Sequence, residues 1–191
     1  MGYNIKDVFY LSTEATVTAS TANAGSAQLD LSAYIDPIAR GRTKGTGLAV
    51  YKVHWIIQDD NDSDPAKMDE TGVMSYGLLA GAGLGDNATG AINATEATFS
   101  ATNALMVSGG AFYGYKSSIA NASTPGVMSP AVSYVEPSKD VPYVIVRDNV
   151  CLVYNVATNF ANGTIIGCRL EVAQISLDQA TLNQLLRTQT V

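Results

Sequence analysis

Residues 141–175 read VPYVIVRDNVCLVYNVATNFANGTIIGCRLEVAQI. Three runs within them, 142–147, 150–156 and 164–175, are rich in Val, Ile, Leu, Tyr and Thr. Such side chains suit a pleated, half-buried surface, and the branched ones lose χ1 freedom in a helix. Asp148-Asn149 and Asn162-Gly163 punctuate the runs. Asn-Gly between two such runs predicts a hairpin, because both central residues of a type I′ turn need positive φ. The last third of the chain is therefore expected to be antiparallel sheet, and it carries no catalytic constellation.

Working outward, residues 8–20 alternate polar and apolar side chains, as does 26–35, where Leu29 and Leu31 share one face and Gln28 and Asp30 the other. Asp36-Pro37 ends that pattern. Residues 48–58 form the clearest strand of the first half. Tyr51, Val53, Trp55 and Ile57 are expected on its core face, and Lys52, His54 and Ile56 on the opposite one. After an acidic stretch at 59–70 the composition changes: from 72 to 130 Gly, Ala, Ser, Thr and Asn dominate, with apolar islands at 77–84, 98–107 and 111–115. Glycine-rich runs are poor helix formers. We expect short strands joined by long projecting loops there, with one helix near 94–106. At the end, Ser176-Leu177-Asp178-Gln179 fits a capping box with Ser176 as N-cap. Leu177, Thr181, Leu182, Leu185 and Leu186 follow at helical spacing. A short amphipathic helix is expected, covering an open end of a sandwich or docking on a neighbouring subunit.

Composition narrows the function. With 191 residues and 47% hydrophobic content the chain can bury one core, so one domain over residues 1–191 is expected. Only 15% of residues are charged, against roughly 25% in ordinary soluble domains. A surface so poor in charge tends to associate with copies or partners. The net charge of −6 argues against a free nucleic-acid binder, whose phosphate contacts need clustered Lys and Arg. Arg40, Arg42 and Lys44 make the one basic cluster, and Lys6 is the only base in the first twenty residues, so a basic arm of the kind that packages RNA is not expected. The first residues also lack an apolar leader, and no stretch reaches the ~18 apolar residues of a membrane helix. Cytoplasmic synthesis of a soluble chain is the expectation.

Catalytic sites are hard to assemble from this inventory. The single histidine, His54, lies mid-strand beside Trp55, and the carboxylates concentrate in one loop. No enzymatic activity is expected. Gly81-Ala82-Gly83-Leu84-Gly85 lacks the Lys-Ser/Thr ending of a phosphate-binding loop. Asp59, Asn61, Ser63 and Glu70 fall at the first, third, fifth and twelfth positions of a calcium-loop spacing, where oxygen ligands would surround a hard cation. Asp64 stands where that loop needs glycine, and a solvated acidic loop is the alternative. Cys151 and Cys168 flank the Asn162-Gly163 turn. In a hairpin they would face Gln174 and Ala157 rather than each other, so two buried free thiols are expected.

The segments 29–58 and 141–175 and the terminal helix together resemble the single jelly-roll major capsid proteins of tailless icosahedral viruses. The resemblance implies an all-β jelly-roll sandwich of two facing antiparallel sheets. It implies a capsid protein that self-assembles into capsomers of an icosahedral shell, made in the host cytoplasm and resident in the virion, with residues 72–130 as outer loops. The implied partners are copies of itself, a second capsid protein, and an internal membrane or minor virion proteins, without sequence-specific nucleic-acid contact. The missing basic arm departs from small RNA-virus coats and suits DNA viruses with a membrane or separately condensed genome inside. The alternative is a carbohydrate-binding β-sandwich of an adhesion or receptor-binding module. Its ten tyrosines would stack on sugar rings, and it requires an exposed aromatic platform. A secreted hydrolase is a weaker third.

Overall fold

A computed structural model describes residues 8–20, 24–36, 44–60, 73–81, 99, 102–113, 129–158, 160 and 163–189. These form two antiparallel sheets and one helix. In chain order the strands are β1 (Val8–Val17), β2 (Ala24–Asp30), β3 (Lys44–Asp59), β4 (Val73–Ala80), β5 (Met106–Tyr113), β6 (Ser129–Val135), β7 (Tyr143–Ile145), β8 (Asn149–Thr158) and β9 (Thr164–Asp178), followed by α1 (Gln179–Thr188). The four-stranded sheet has the order β1-β9-β3-β7 and the five-stranded sheet β2-β8-β4-β5-β6.

The pairing gives the topology its physical meaning. β1 pairs with β9, β2 with β8, β3 with β7 and β4 with β5, all antiparallel. The chain is thus one long two-armed ribbon whose arms meet at β4 and β5, rolled so that successive ribbon segments alternate between sheets. That is a jelly roll, with β6 added beyond β5. Rolling brings the alternating faces together. Val17 of β1, Leu48, Val50 and Val53 of β3, and Ile166, Cys168, Leu170 and Val172 of β9 meet Met74, Tyr76 and Leu78 of β4, Phe112 of β5, and Val150, Leu152 and Val156 of β8 in one core. Each large aliphatic side chain buried there contributes about 1.5–3 kcal/mol. Polar ties cross the core too: Trp55 Nε1 donates to Ser108 Oγ at 2.9 Å, and the Trp55 ring lies 4.6 Å from that of Tyr76. Ser108 is fully buried. Ser108→Ala should therefore orphan the indole N–H and cost about 1–3 kcal/mol in urea unfolding, while Ser108→Thr, which keeps the hydroxyl, should cost less.

Several sequence expectations need correction. Residues 142–175 do supply three strands, but β8 and β9 are not a hairpin, since they lie in different sheets. The reason sits in the connection. Phe160 is buried against Phe112, its carbonyl accepts from Ser20 N–H, and it wedges the chain across from one sheet to the other. Gly163 serves a close approach instead of a two-residue turn: its carbonyl accepts from Asp60 N–H, and a Cβ there would collide with the Asp60 carboxylate. Cys151 consequently lies opposite Gln28 and Leu79, and Cys168 opposite Thr13 and Trp55. Both are free and buried. Burial raises the Cys151 thiol and pushes Cys168 up to about 12. A thiol-reactive dye at mildly alkaline pH should leave the native chain unlabelled and modify both cysteines on unfolding.

In β3 the expected alternation holds for Val53, Trp55 and Ile57 on the core side. A bulge between Val50 and Lys52 sends Tyr51 to the other face, where it packs with Ala49. The glycine-rich middle contributes expected short strands as β4 and β5, inner strands of the five-stranded sheet, while most of the stretches joining them lie outside the described residues. Of the expected helix at 94–106, the described residues 99 and 102–105 form turns, and Met106 opens β5. The rest of 94–106 lies outside the described residues. The terminal helix starts later than its capping box suggests. Ser176 is still in β9, and Asp178 is the N-cap, its carboxylate accepting from Thr181 N–H at 2.7 Å. Nor does α1 close an end of the sandwich. Leu182, with Leu185 and Leu186, packs on Ala49, Tyr51, Ala173, Ile175 and Leu177, the outer face of β3 and β9.

Candidate interaction surface

The two outer faces of the sandwich differ. On the five-stranded sheet Leu79, Met106, Cys151 and Val153 are buried, with Phe99 and Val135 packed against them. On the four-stranded sheet α1 covers one end, and residues 136–139 wall a second depression with Val8, Tyr51, Lys52 and Glu171. Strict alternation along β1, β9 and β3 then leaves a bare strip.

Register lays this strip out in rows. Tyr10, Glu171 and Lys52 stand side by side, then Ser12, Arg169 and His54, then Glu14, Gly167 and Ile56, and then Thr16, Ile165 and Gln58. Val8, Tyr10 and Ile56 are 52%, 58% and 54% exposed, an unusual degree for such side chains in a sheet. The charges are intermixed. His54 Nε2 lies 3.0 Å from Glu171 Oε1, Tyr10 Oη donates to the same oxygen at 3.4 Å, and the Arg169 guanidinium sits 5.6 Å from the Tyr10 ring centre. The His54 hydrogen bond, helped by the nearby charges of His54 and Lys52 and by Tyr10, holds the Glu171 carboxyl below its ordinary range. Over Gly167 the face sinks into an open depression of about 560 Å³, walled by Glu14, Ile56, Gln58, Ile165 and Arg169.

Acid should loosen this arrangement. Glu171, Asp178 beside the first turn of α1, and Asp30 beside Ser32 all have folded-state pKa values depressed, the last two by backbone N–H groups. Their stabilisation is present above the unfolded carboxylate range of about 3.9–4.3 and is lost as pH falls through the lower folded values. Melting temperature should therefore be flat from that range to neutral pH and fall below it, and Glu171→Gln should blunt the fall.

The sequence candidates are placed as follows. His54 does lie on the face opposite Trp55, and its partner Glu171 comes from a strand far along the chain. Asp59 ends β3 opposite Thr164. Asn61, Ser63 and Glu70 lie outside the described residues, as do Arg40 and Arg42, while Lys44 opens β3 opposite Asp178. Among the described residues no three His, Cys, Asp or Glu side chains cluster closely enough to hold a metal. Among the tyrosines whose side chains are described, Tyr10 and Tyr113 are the exposed ones, and they belong to different sheets.

No protein-family model and no curated protein matches this sequence. Among solved structures the chain is similar to VP1 of Trichodysplasia spinulosa-associated polyomavirus in complex with GM1 oligosaccharide. That match has 8% identity and a TM-score of 0.41, over 93% of this chain and 99% of that one. VP1 of the same virus in complex with sialylated precision glycooligomers aligns with 8% identity and a TM-score of 0.41, over 93% and 100%.

Proposed function

We propose that this chain is a capsid subunit, a structural protein without catalytic activity that assembles with copies of itself into capsomers of an icosahedral shell. The observation that carries the reading is the bare strip on β1, β9 and β3. It exposes apolar side chains among charges of both signs, in a molecule whose net charge is −6 and whose charged content is low. Identical neighbours can meet there without burying a one-signed field, and symmetric repetition multiplies each weak contact. A second coat protein, an internal membrane or minor virion proteins would be further partners in the virion. The remainder of 72–130, between and beyond β4 and β5, would supply loops at subunit boundaries or on the outer surface. Negative-stain microscopy of the purified chain tests this: rings, sheets or shells support it, and isolated small particles at every concentration count against it.

Calcium is a secondary element of the same proposal, with Asp59, Asn61, Ser63 and Glu70 as its ligands. Millimolar calcium should then raise the melting temperature where magnesium does not, and Glu70→Gln should remove the shift.

A further inference from the structure

We infer that the depression over Gly167 is the socket into which Ile56 of a second copy docks, face to face across the bare strip. The inference rests on the capsid reading in taking another copy of this chain as the partner.

Gly167 lies in the interior of β9, paired on one side with Glu14 and on the other with Ile56. A glycine there weakens a strand, and it commonly marks a place where another backbone or a ligand comes close. Three other strand glycines have internal reasons, while Gly77 in the buried strand β4, like Gly167, would meet only ordinary contacts. At Gly25 a Cβ would meet the Tyr154 ring, at Gly47 the Ile145 carbonyl at 2.9 Å, and at Gly109 the Tyr76 carbonyl at 3.1 Å. At Gly167 a Cβ would find only Glu14 Cβ and the Thr13 carbonyl, both at 3.7 Å, which is ordinary contact. Its backbone is not left-handed. Nothing inside the protomer asks for glycine, and the space it leaves opens outward.

A knob stands beside this hole. Ile56 is 54% exposed and occupies the same row on the adjacent strand. A twofold axis running along the strands between β3 and β9 lays β9 of each copy over β3 of the other. Each Ile56 then enters the opposite depression, and each Glu171 faces the Lys52 of the other copy. Arg169 and His54 meet in the intervening row, next to both Glu171 carboxylates. Apart from His54, the strip carries Lys52 and Arg169 against Glu14 and Glu171. It is therefore balanced within a chain of net charge −6, which favours a second copy over a strongly charged partner. With β1 of each copy lying beyond the β3 of the other, two strands about 4.8 Å apart and four rows of side chains cover about 260 Å² per copy, roughly a third of what a stable isolated pair buries. The contact should be concentration-dependent alone and firm when repeated.

The test compares wild type with Gly167→Leu, which fills the socket, and Ile56→Lys, which replaces the exposed knob. Sedimentation velocity and thermal melting would be recorded on the full chain. We expect both variants to melt no lower than wild type by more than a degree or two, and to self-associate at least about tenfold more weakly. A mixture of Ile56→Cys and Gly167→Cys chains should form the mixed disulfide in preference to either homodimer. If Gly167→Leu folds poorly, Ile56→Lys and the mixed-chain crosslink carry the test. Wild-type association that both variants retain, with no mixed disulfide, overturns the socket and leaves the capsid reading standing. A wild-type chain that stays monomeric at every concentration overturns both.

Discussion

Replacing Gln189 by alanine should lower the melting temperature by about 4–16 °C, although the residue is the last one described in the chain. Gln189 is only 4% exposed, and its side-chain amide acts as a substitute strand. Its Oε1 accepts from Val146 N–H at 3.2 Å and its Nε2 donates to the Val144 carbonyl at 2.6 Å, the hydrogen-bonding pattern a neighbouring strand would offer at the open edge of β7. The backbone of the same residue is pinned twice: its N–H donates to the Leu185 carbonyl, and its carbonyl accepts from Arg147 Nε at 2.9 Å. Truncation leaves a buried N–H and a carbonyl without partners, at about 2–4 kcal/mol together. It also uncovers an edge able to pair with another chain, so the variant should aggregate on heating more readily than its stability loss alone explains. Gln189→Glu should fare no better, because it removes the donor and sets a carboxylate against the Val144 carbonyl. A melting curve for Gln189→Ala that overlays wild type would show that α1 does not seal this edge.

Leu170→Ala should cost about 2–5 kcal/mol by urea unfolding, the range for emptying a well-packed core site. Leu170 is fully buried in β9, between Leu11 of β1 and Val53 of β3, at the crossing of the two longest strands of its sheet. Its surroundings come from both sheets, so they cannot collapse into the cavity without disturbing the ribbon. Ser12→Ala, on the outer face one row away, should change stability by less than about 0.5 kcal/mol. The contrast between the two substitutions measures how one-sided the sheet is. A similar small loss for both would mean that the inner face of β9 is not packed as described.

Local pattern and long-range pairing were unequally legible in the residues. The faces of β3 follow from alternation alone, so Trp55 inward and His54 outward could be read directly, up to the bulge that redirects Tyr51. The bulge leaves no mark in the sequence. Asn162-Gly163 does signal a reversal, yet whether the next strand returns beside β8 or crosses to the other sheet is decided by Phe160 finding the core, a tertiary choice. Ser176 and Asp178 are both good caps. The helix starts at the second because Ser176 and Leu177 remain paired with Thr46 and Gly45 of β3. The interaction strip was invisible for a related reason. His54 and Glu171 meet only once β3 and β9 are neighbours, and Gly167 becomes informative only when the space around it is known. The arrangement of segments pointed to the right fold, while β4 and β5, expected only as short strands of a glycine-rich stretch, did not show their inner place because flanking strands, rather than their own propensity, hold them there.

Sedimentation velocity on the purified full-length chain, from low micromolar to near-millimolar concentration, tests the proposal that copies of this protein do their work by contact with one another. The account predicts a reversible rise from the 20.0 kDa monomer to discrete larger species, weakened by Gly167→Leu. A single 20.0 kDa boundary throughout the range would contradict it.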